Sequence, residues 1–351
     1  MERIRTIHWG TGAIGTRALA EALADPRFRV VGAVSCRGPE RAREALASLG
    51  AASTVVAGVS LDEVVAAAGG ADVVVLATQA HVRELEEQIT AACRAGLHVV
   101  CIGEEVLHPS SADAGIGQRL LDEAIANGVS VLGTGINPGY LMDALPLVLT
   151  APTRRWSRLH ARRVSDLSHY GWTVLRGLGI GLTPEGFKTA KTEGNVSGHL
   201  GFRQSVAIIG EASGLQLTVE EDSAEPIVRS VPTPFANELV APGVVIGVMQ
   251  RCIATSTEGH TVSLEHPQRI GTADAEEPFG DMVVIDGDPP IRFEISPGID
   301  GAQATVALML NLAPVLEGLP PGLHSTIDAP LSTTAHAGSR VRSALVSSDW
   351  S

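Results

Sequence analysis

The sequence predicts an α/β chain: a doubly wound parallel sheet first, then a second, α+β domain carrying a mixed, largely antiparallel sheet. Three observations lead there. Strand-like and helix-like segments alternate over residues 1–135. One apolar run in that stretch, residues 72–77, is continuous, as befits a strand covered on both faces. After Asn137-Pro138-Gly139 the pattern changes to paired strands around tight turns.

In order, residues 4–9 read as a strand and 13–24 as a helix stopped by Asp25-Pro26. Residues 29–35 are a second strand, and 39–49 a helix closed by Gly50. A short strand follows at 54–57, and Ser60-Leu61-Asp62-Glu63 is a capping box that opens a third helix. Residues 83–95 place Leu85, Ile89, Ala92 and Cys93 on one helical face, ending at Gly96. Strands at 98–102 and 130–133 flank a helix around 118–127. Strand, helix, strand at this spacing implies right-handed crossovers. Beyond the junction, 158–164 reads as a strand and 166–181 as a Gly-rich polar loop. Thr183-Pro184-Glu185 opens a short helix, and 202–213 is another, ended by Gly214. Strands 244–255 and 260–266 flank Glu258-Gly259, and 282–285 and 291–295 flank Asp286-Gly287-Asp288, so both pairs read as hairpins. An apolar helix at 302–317 is expected to return to the first domain. Residues 332–351, rich in Ser and Ala, read as a loosely ordered tail.

A chain of 351 residues suits two domains. With 44% hydrophobic but 3% aromatic residues, its core must be built from Ala, Val, Leu and Ile. A net charge of -13 argues against nucleic acid, whose phosphates need clustered Lys and Arg. No run of about 18 apolar residues exists to span a membrane. The N-terminus runs straight into a strand and lacks a signal-peptide core, so a cytoplasmic protein is expected. Four scattered cysteines and eleven histidines show no metal-ligand spacing, so no metal is expected.

Gly10-Thr11-Gly12-Ala13-Ile14-Gly15 follows a strand and opens a helix, the setting in which Gly-x-Gly-x-x-Gly binds a dinucleotide. Gly10 permits the turn, Gly12 admits the pyrophosphate, and Gly15 allows close helix–strand packing. An NAD site would carry Asp or Glu about 20 residues past the last glycine to hold the ribose 2′-hydroxyl. Here stand Ser35, Cys36 and Arg37, with Arg41 one turn on. A hydroxyl and a guanidinium bind a 2′-phosphate that a carboxylate would repel, so NADP(H) is favoured, with NAD(H) the alternative cofactor. Thr78 and Gln79, after the fourth strand, suit the nicotinamide ribose. Glu104 and Glu105, after the fifth, suit chemistry beside the nicotinamide, although a solvated acidic pair would look the same. Asn137, after the sixth, suits the carboxamide or a turn. The expected division is a Rossmann domain at 1–138, a substrate and dimerisation domain at 139–301, a returning segment at 302–331 and the tail.

Several segments together resemble the 2,4-diaminopentanoate dehydrogenase and native amine dehydrogenase family, whose architecture is like that of dihydrodipicolinate reductases. They are Trp9-Gly10-Thr11-Gly12, Gly103-Glu104-Glu105, the run from Gly133 through Asn137-Pro138-Gly139-Tyr140 to Asp143, and Asp166-Leu167-Ser168-His169-Tyr170-Gly171. Gly198-His199-Leu200-Gly201-Phe202, Ile295-Ser296-Pro297 and Pro320-Pro321-Gly322-Leu323 complete them. The Lys-x-Asp-x-Pro-Ser-Gly-Thr type of loop of true dihydrodipicolinate reductases is absent. The resemblance implies reductive amination of a small ketone or aldehyde with ammonia, and the reverse. It implies that a glutamate after the fifth strand handles ammonia; Glu104 matches best, with Glu105 the alternate. It implies a homodimer and a pocket from Tyr140, Tyr170, Thr173 and His199, each of which could instead be structural. Arg163 and Asp166 could recognise a charged substrate or form a surface ion pair. The alternatives are a 2,4-diaminopentanoate-type amino-acid dehydrogenase, an imine or carbonyl reductase, and a non-catalytic NADP-binding sensor.

Overall fold

A computed structural model of the chain describes residues 3–168, 170–196, 199–235, 238–271 and 278–330. The expected tail at 332–351 lies outside the described residues. Contacts divide the chain into two compact units, residues 1–140 with 301–351, and residues 141–300.

The first unit runs β1 (Ile4–Trp9), α1 (Ala13–Ala24), β2 (Phe28–Val34), α2 (Pro39–Ser48), β3 (Val56–Gly58), α3 (Leu61–Ala68), β4 (Val73–Leu76), α4 (Val82–Arg94), β5 (His98–Cys101), α5 (Pro109–Ala112), α6 (Ala114–Ala126) and β6 (Ser130–Gly133). The second contains α7 (Ala144–Thr150), β7 (Arg155–Asp166), α8 (Trp172–Gly177), α9 (Pro184–Thr192), α10 (Phe202–Ser213), β8 (Leu217–Val228), β9 (Thr233–Phe235) and β10 (Glu238–Val240). It ends with β11 (Val245–Ser256), β12 (Thr261–Arg269), β13 (Gly280–Asp288) and β14 (Ile291–Ile295), and the chain then adds α11 (Gly301–Leu312) and β15 (Gly322–His324) to the first unit.

The first sheet is parallel, in the order β15-β6-β5-β4-β1-β2-β3. Both faces are covered. On one, Ala18 and Leu19 of α1, Leu46 of α2 and Met309 of α11 pack on Val73, Val75 and Val100. On the other, Val64 of α3, Leu85 and Ile89 of α4 and Leu120 of α6 pack on Ile7, Val74 and Val99. This is the doubly wound Rossmann fold. Strand order reverses between β1 and β4, so the glycine turn after β1 lies at the switch point, where such sheets bind ligands.

The second sheet has the order β14-β13-β7-β12-β11-β8, antiparallel except for β7–β12. One face packs on Phe202, Val206 and Ile209 of α10. Two details differ from expectation. The polar stretch 166–181 contains α8. The apolar helix ends at Leu312, because Pro314 turns its continuation into a 3-10 turn over Ala313–Gly318. Residues 217–228, which carried no expectation from the sequence, pair with β11 as the edge strand β8.

Candidate functional site

In the first unit, two glycines of the turn are dictated by the protein and one is not. Gly10 has φ 120°, and a Cβ there would collide with the Ala77 carbonyl. A Cβ on Gly15 would strike the Gly10 carbonyl oxygen. A Cβ on Gly12 would meet nothing within 4 Å, so the protein's own packing does not require a glycine there, and the space is open to an approaching ligand. No side chain caps the start of α1 and no acid stands in its first turn, so the amides of that turn are available to an anion. A pyrophosphate fits this cradle. Thr11 Oγ1 donates to Ser35 Oγ at 3.0 Å, tying the turn to the end of β2. Ser35 is 3% exposed, whereas Cys36 and Arg37 are exposed beside it. Arg41 pairs with Glu44 on the surface of α2.

The loops after β4 and β5 lie together. Thr78 Oγ1 donates to Gln88 Oε1 of α4 at 2.6 Å, and Gln79 is exposed. Glu104 and Glu105 open a 3-10 turn, Glu104–Leu107, and both are half-buried. Glu105 Oε2 accepts the Val82 N–H at 2.8 Å, and its Oε1 lies 3.1 Å from His81 Nδ1. Asn137 is buried in the same unit; the Ile136 N–H beside it donates to Thr305 Oγ1 of α11 at 3.3 Å.

In the second unit the strands carry a buried polar cluster. Arg163, 5% exposed, donates to Ser165 Oγ at 3.1 Å and to the Ile299 carbonyl at 2.8 Å, with Asp281 3.9 Å away. Burial lowers the Arg163 guanidinium from its ordinary value, against the pull of Asp281, Tyr170 and Asp300. Burial likewise raises the Asp281 carboxyl. His266, 2% exposed, meets Ser165 Oγ at 3.0 Å and stacks on His199 with centroids 4.9 Å apart. Burial first, then the His199 and Arg163 charges, hold His266 well below its ordinary value, so it is neutral. Gln250 grips the His199 backbone from both sides, accepting its N–H at 2.9 Å and donating to its carbonyl at 3.0 Å. Tyr170 is half-buried, and burial, then Asp300, raises its phenol.

A model of the 2,4-diaminopentanoate dehydrogenase C-terminal domain matches residues 140–344. The 2,4-diaminopentanoate dehydrogenase of Acetoanaerobium sticklandii is 31% identical over 335 residues, 94% of each chain. The chain belongs to the 2,4-diaminopentanoate dehydrogenase family. An amine dehydrogenase of Streptomyces virginiae is 24% identical over 355 residues, covering 93% of this chain and 96% of that one. The structure of an amine dehydrogenase from Mycobacterium smegmatis shares the fold, with a TM-score of 0.78 at 21% identity over 95% of this chain and 98% of that one. Membership in the diaminopentanoate dehydrogenase family makes this protein an oxidoreductase acting on amines with a nicotinamide cofactor.

Of the residues expected in the family's substrate pocket, Tyr170 and His199 join the Arg163–His266 cluster. Thr173 lies on α8, and its side chain is outside the described residues. Tyr140 is half-buried and belongs to the first unit. Asp166 turns its carboxylate to the Ser168 N–H at 2.7 Å, as a turn former does. Sequence reading missed Ser165, Gln250, His266 and Gln268. The signal was present as period-two alternation. Leu159 and Ala161 on β7 are followed on the same face by Arg163 and Ser165, and Val262 and Leu264 on β12 by His266 and Gln268. Among the described residues no metal-ligating group of three or more side chains occurs, and no helix is long and apolar enough to cross a membrane.

Proposed function

We propose that the protein catalyses reductive amination of a small ketone or aldehyde with ammonia, and the reverse oxidative deamination, preferring NADP(H) over NAD(H). Membership in the family and the place of Glu104 after β5 support this reading. Glu104, which best matches the family's glutamate after the fifth strand, opens the 3-10 turn on a loop tied to the one that carries the expected nicotinamide ribose site. When bound, the nicotinamide supplies the hydride at C4. Glu104 holds ammonium and takes one proton, and the released ammonia adds to the carbonyl carbon. The protonated Glu104 then returns that proton to the carbinolamine hydroxyl, which leaves as water and gives the iminium that the hydride reduces. Gly10, Thr11, Gly12, Ala13, Ile14 and Gly15 hold the pyrophosphate, Thr78 and Gln79 the nicotinamide ribose, and Asn137 the carboxamide. Tyr140, Tyr170, Thr173 and His199 line the substrate pocket.

NADPH oxidation should therefore need both a carbonyl compound and ammonium. Glu104→Gln should lower it by roughly 10²–10⁴-fold while NADPH titrations stay unchanged. Unaltered turnover would remove Glu104 from the mechanism, and turnover without ammonium would point to a carbonyl reductase. The cofactor preference rests on Arg37, exposed at the end of β2 where no carboxylate follows. Arg37→Ala should reduce kcat/KM for NADPH by about tenfold, the worth of one charge-assisted contact, and leave NADH little changed. A homodimer in the cytoplasm completes the proposal. The sheet face opposite α10 carries half-buried Met249, Ile253, Met282 and Val284 beside the ion pairs Arg162–Glu265 and Arg251–Glu265. A second copy laid on this face would cover the apolar residues; sedimentation at the 36.5 kDa chain mass would exclude it.

A further inference from the structure

We propose that Glu105 is a positioning residue, whose side chain and backbone fasten the loop after β5 to the loop after β4 and so fix Glu104 relative to Thr78 and Gln79. This rests on the role proposed above for Glu104. Helix α4 begins with His81 in the capping position, yet that side chain makes no capping bond. The first helical N–H, that of Val82, is satisfied instead by Glu105 Oε2 at 2.8 Å, reached from a different loop. A carboxylate at the positive end of a 13-residue helix is well placed electrostatically. Its other oxygen lies 3.1 Å from His81 Nδ1, and only 15% of the side chain is exposed. The Glu105 N–H adds a third tie, donating to the Ala80 carbonyl at 3.2 Å.

Helix α4 also holds the other loop, through Gln88 and Thr78. Both loops are thus referred to one rigid element. Gly103 tightens the arrangement: a Cβ there would press into Leu85 of α4 and approach the Gln79 carbonyl. Glu104 sits between Gly103 and Glu105, so its backbone cannot shift while these contacts hold. Displacing a reacting group by about 1 Å can lower a rate by about 100-fold, so such a clamp bears directly on turnover.

The test compares Glu105→Gln with Glu105→Ala in the full chain. A glutamine keeps a carbonyl oxygen for the Val82 N–H, and its amide can donate to the other tautomer of His81. Alanine keeps neither. Three readouts are needed: hydrogen exchange at the start of α4, NADPH titration, and steady-state turnover with saturating ammonium. Glu105→Ala should accelerate exchange at Val82 and lower kcat by about 10–100-fold, with NADPH affinity within about threefold. Glu105→Gln should keep slow exchange and a kcat within about threefold of the unaltered protein. Equal inactivity of both variants would make Glu105 itself the proton carrier and overturn the proposal. Full kcat in Glu105→Ala would overturn it as well. Should alanine prevent folding, Glu105→Asp, one methylene too short for the Val82 N–H, replaces it with the same expectations. Failure of the function proposed above would appear in the unaltered protein as no ammonia-dependent turnover, whereas failure here appears only in the variants.

Discussion

Gly12 separates what the protein needs from what its ligand needs. Its backbone, at φ -76° and ψ -174°, suits any L-residue, and a Cβ would point into open space. Gly12→Ala should therefore leave the melting temperature within about 1–2 °C and weaken NADPH binding at least about tenfold, since the added methyl occupies the pyrophosphate's path. Gly15→Ala should do the reverse first: its Cβ strikes the Gly10 carbonyl, so an overpacking loss of about 1–3 kcal/mol should lower the melting temperature before binding is measured. Thermal melts and NADPH titrations on the two variants decide the matter. If Gly12→Ala bound NADPH normally, the turn would not be the phosphate cradle. The strand, turn and helix of this motif were legible in the sequence, because they are local. The anchoring of Glu105 to the start of α4 was not legible, because it depends on Val82 and His81, more than 20 residues away.

The strands of the second unit show the same limit over a longer range. Strands β7, β12 and β13 are each apolar along one part of a single face and polar along the next, and β11 sets Gln250 between apolar residues of its buried face. Cross-strand register aligns the changes, with Gln250 opposite His266 and Asp281 opposite Arg163. Alternation within one strand was readable, but the alignment of four strands comes from pairing across more than 100 residues of sequence. The edge strand β8, with Glu220, Glu221, Asp222 and Pro226, carries the charges and proline that protect an edge, and those residues break the apolar alternation by which a strand is read. Helix α10, by contrast, was legible from Phe202 to Ser213, since an apolar face and a following Gly214 are local signals. The aligned polar ends make one element-scale prediction. Gln250→Leu would strip the clamp from the His199 backbone and the partner from Gln268, whose Nε2 donates to Gln250 at 3.0 Å. A stability loss of about 1–3 kcal/mol should accompany a fall of at least about tenfold in kcat/KM for the carbonyl compound. NADPH affinity, a property of the other unit, should stay unchanged. Unaltered carbonyl kinetics would detach His199 from the substrate pocket.

Across the molecule, each unit encloses a histidine that the fold keeps uncharged. His8 on β1 is pushed down to about 3 by burial, and His266 is held well below its ordinary value by burial and by neighbouring His199 and Arg163. In an unfolded chain both would titrate near pH 6.5. Below that pH the unfolded form takes up protons that the folded form refuses, so stability is complete above about pH 6.5 and falls as the medium is acidified. The slope is about 1.4 kcal/mol per pH unit for each histidine, continuing for His8 toward its folded value of about 3. Carboxylates add their own acid dependence, so the contribution of one histidine must be read as a difference between variants. Denaturant unfolding of the unaltered protein and of His8→Asn, followed between pH 7 and 4, supplies that difference. His8→Asn should flatten the pH dependence of the first unit by about 1.4 kcal/mol per pH unit and leave that of the second as it was. Because the two units have separate cores, a two-step transition would report each histidine on its own step. Parallel curves for the two proteins would mean that His8 takes up its proton in the folded state.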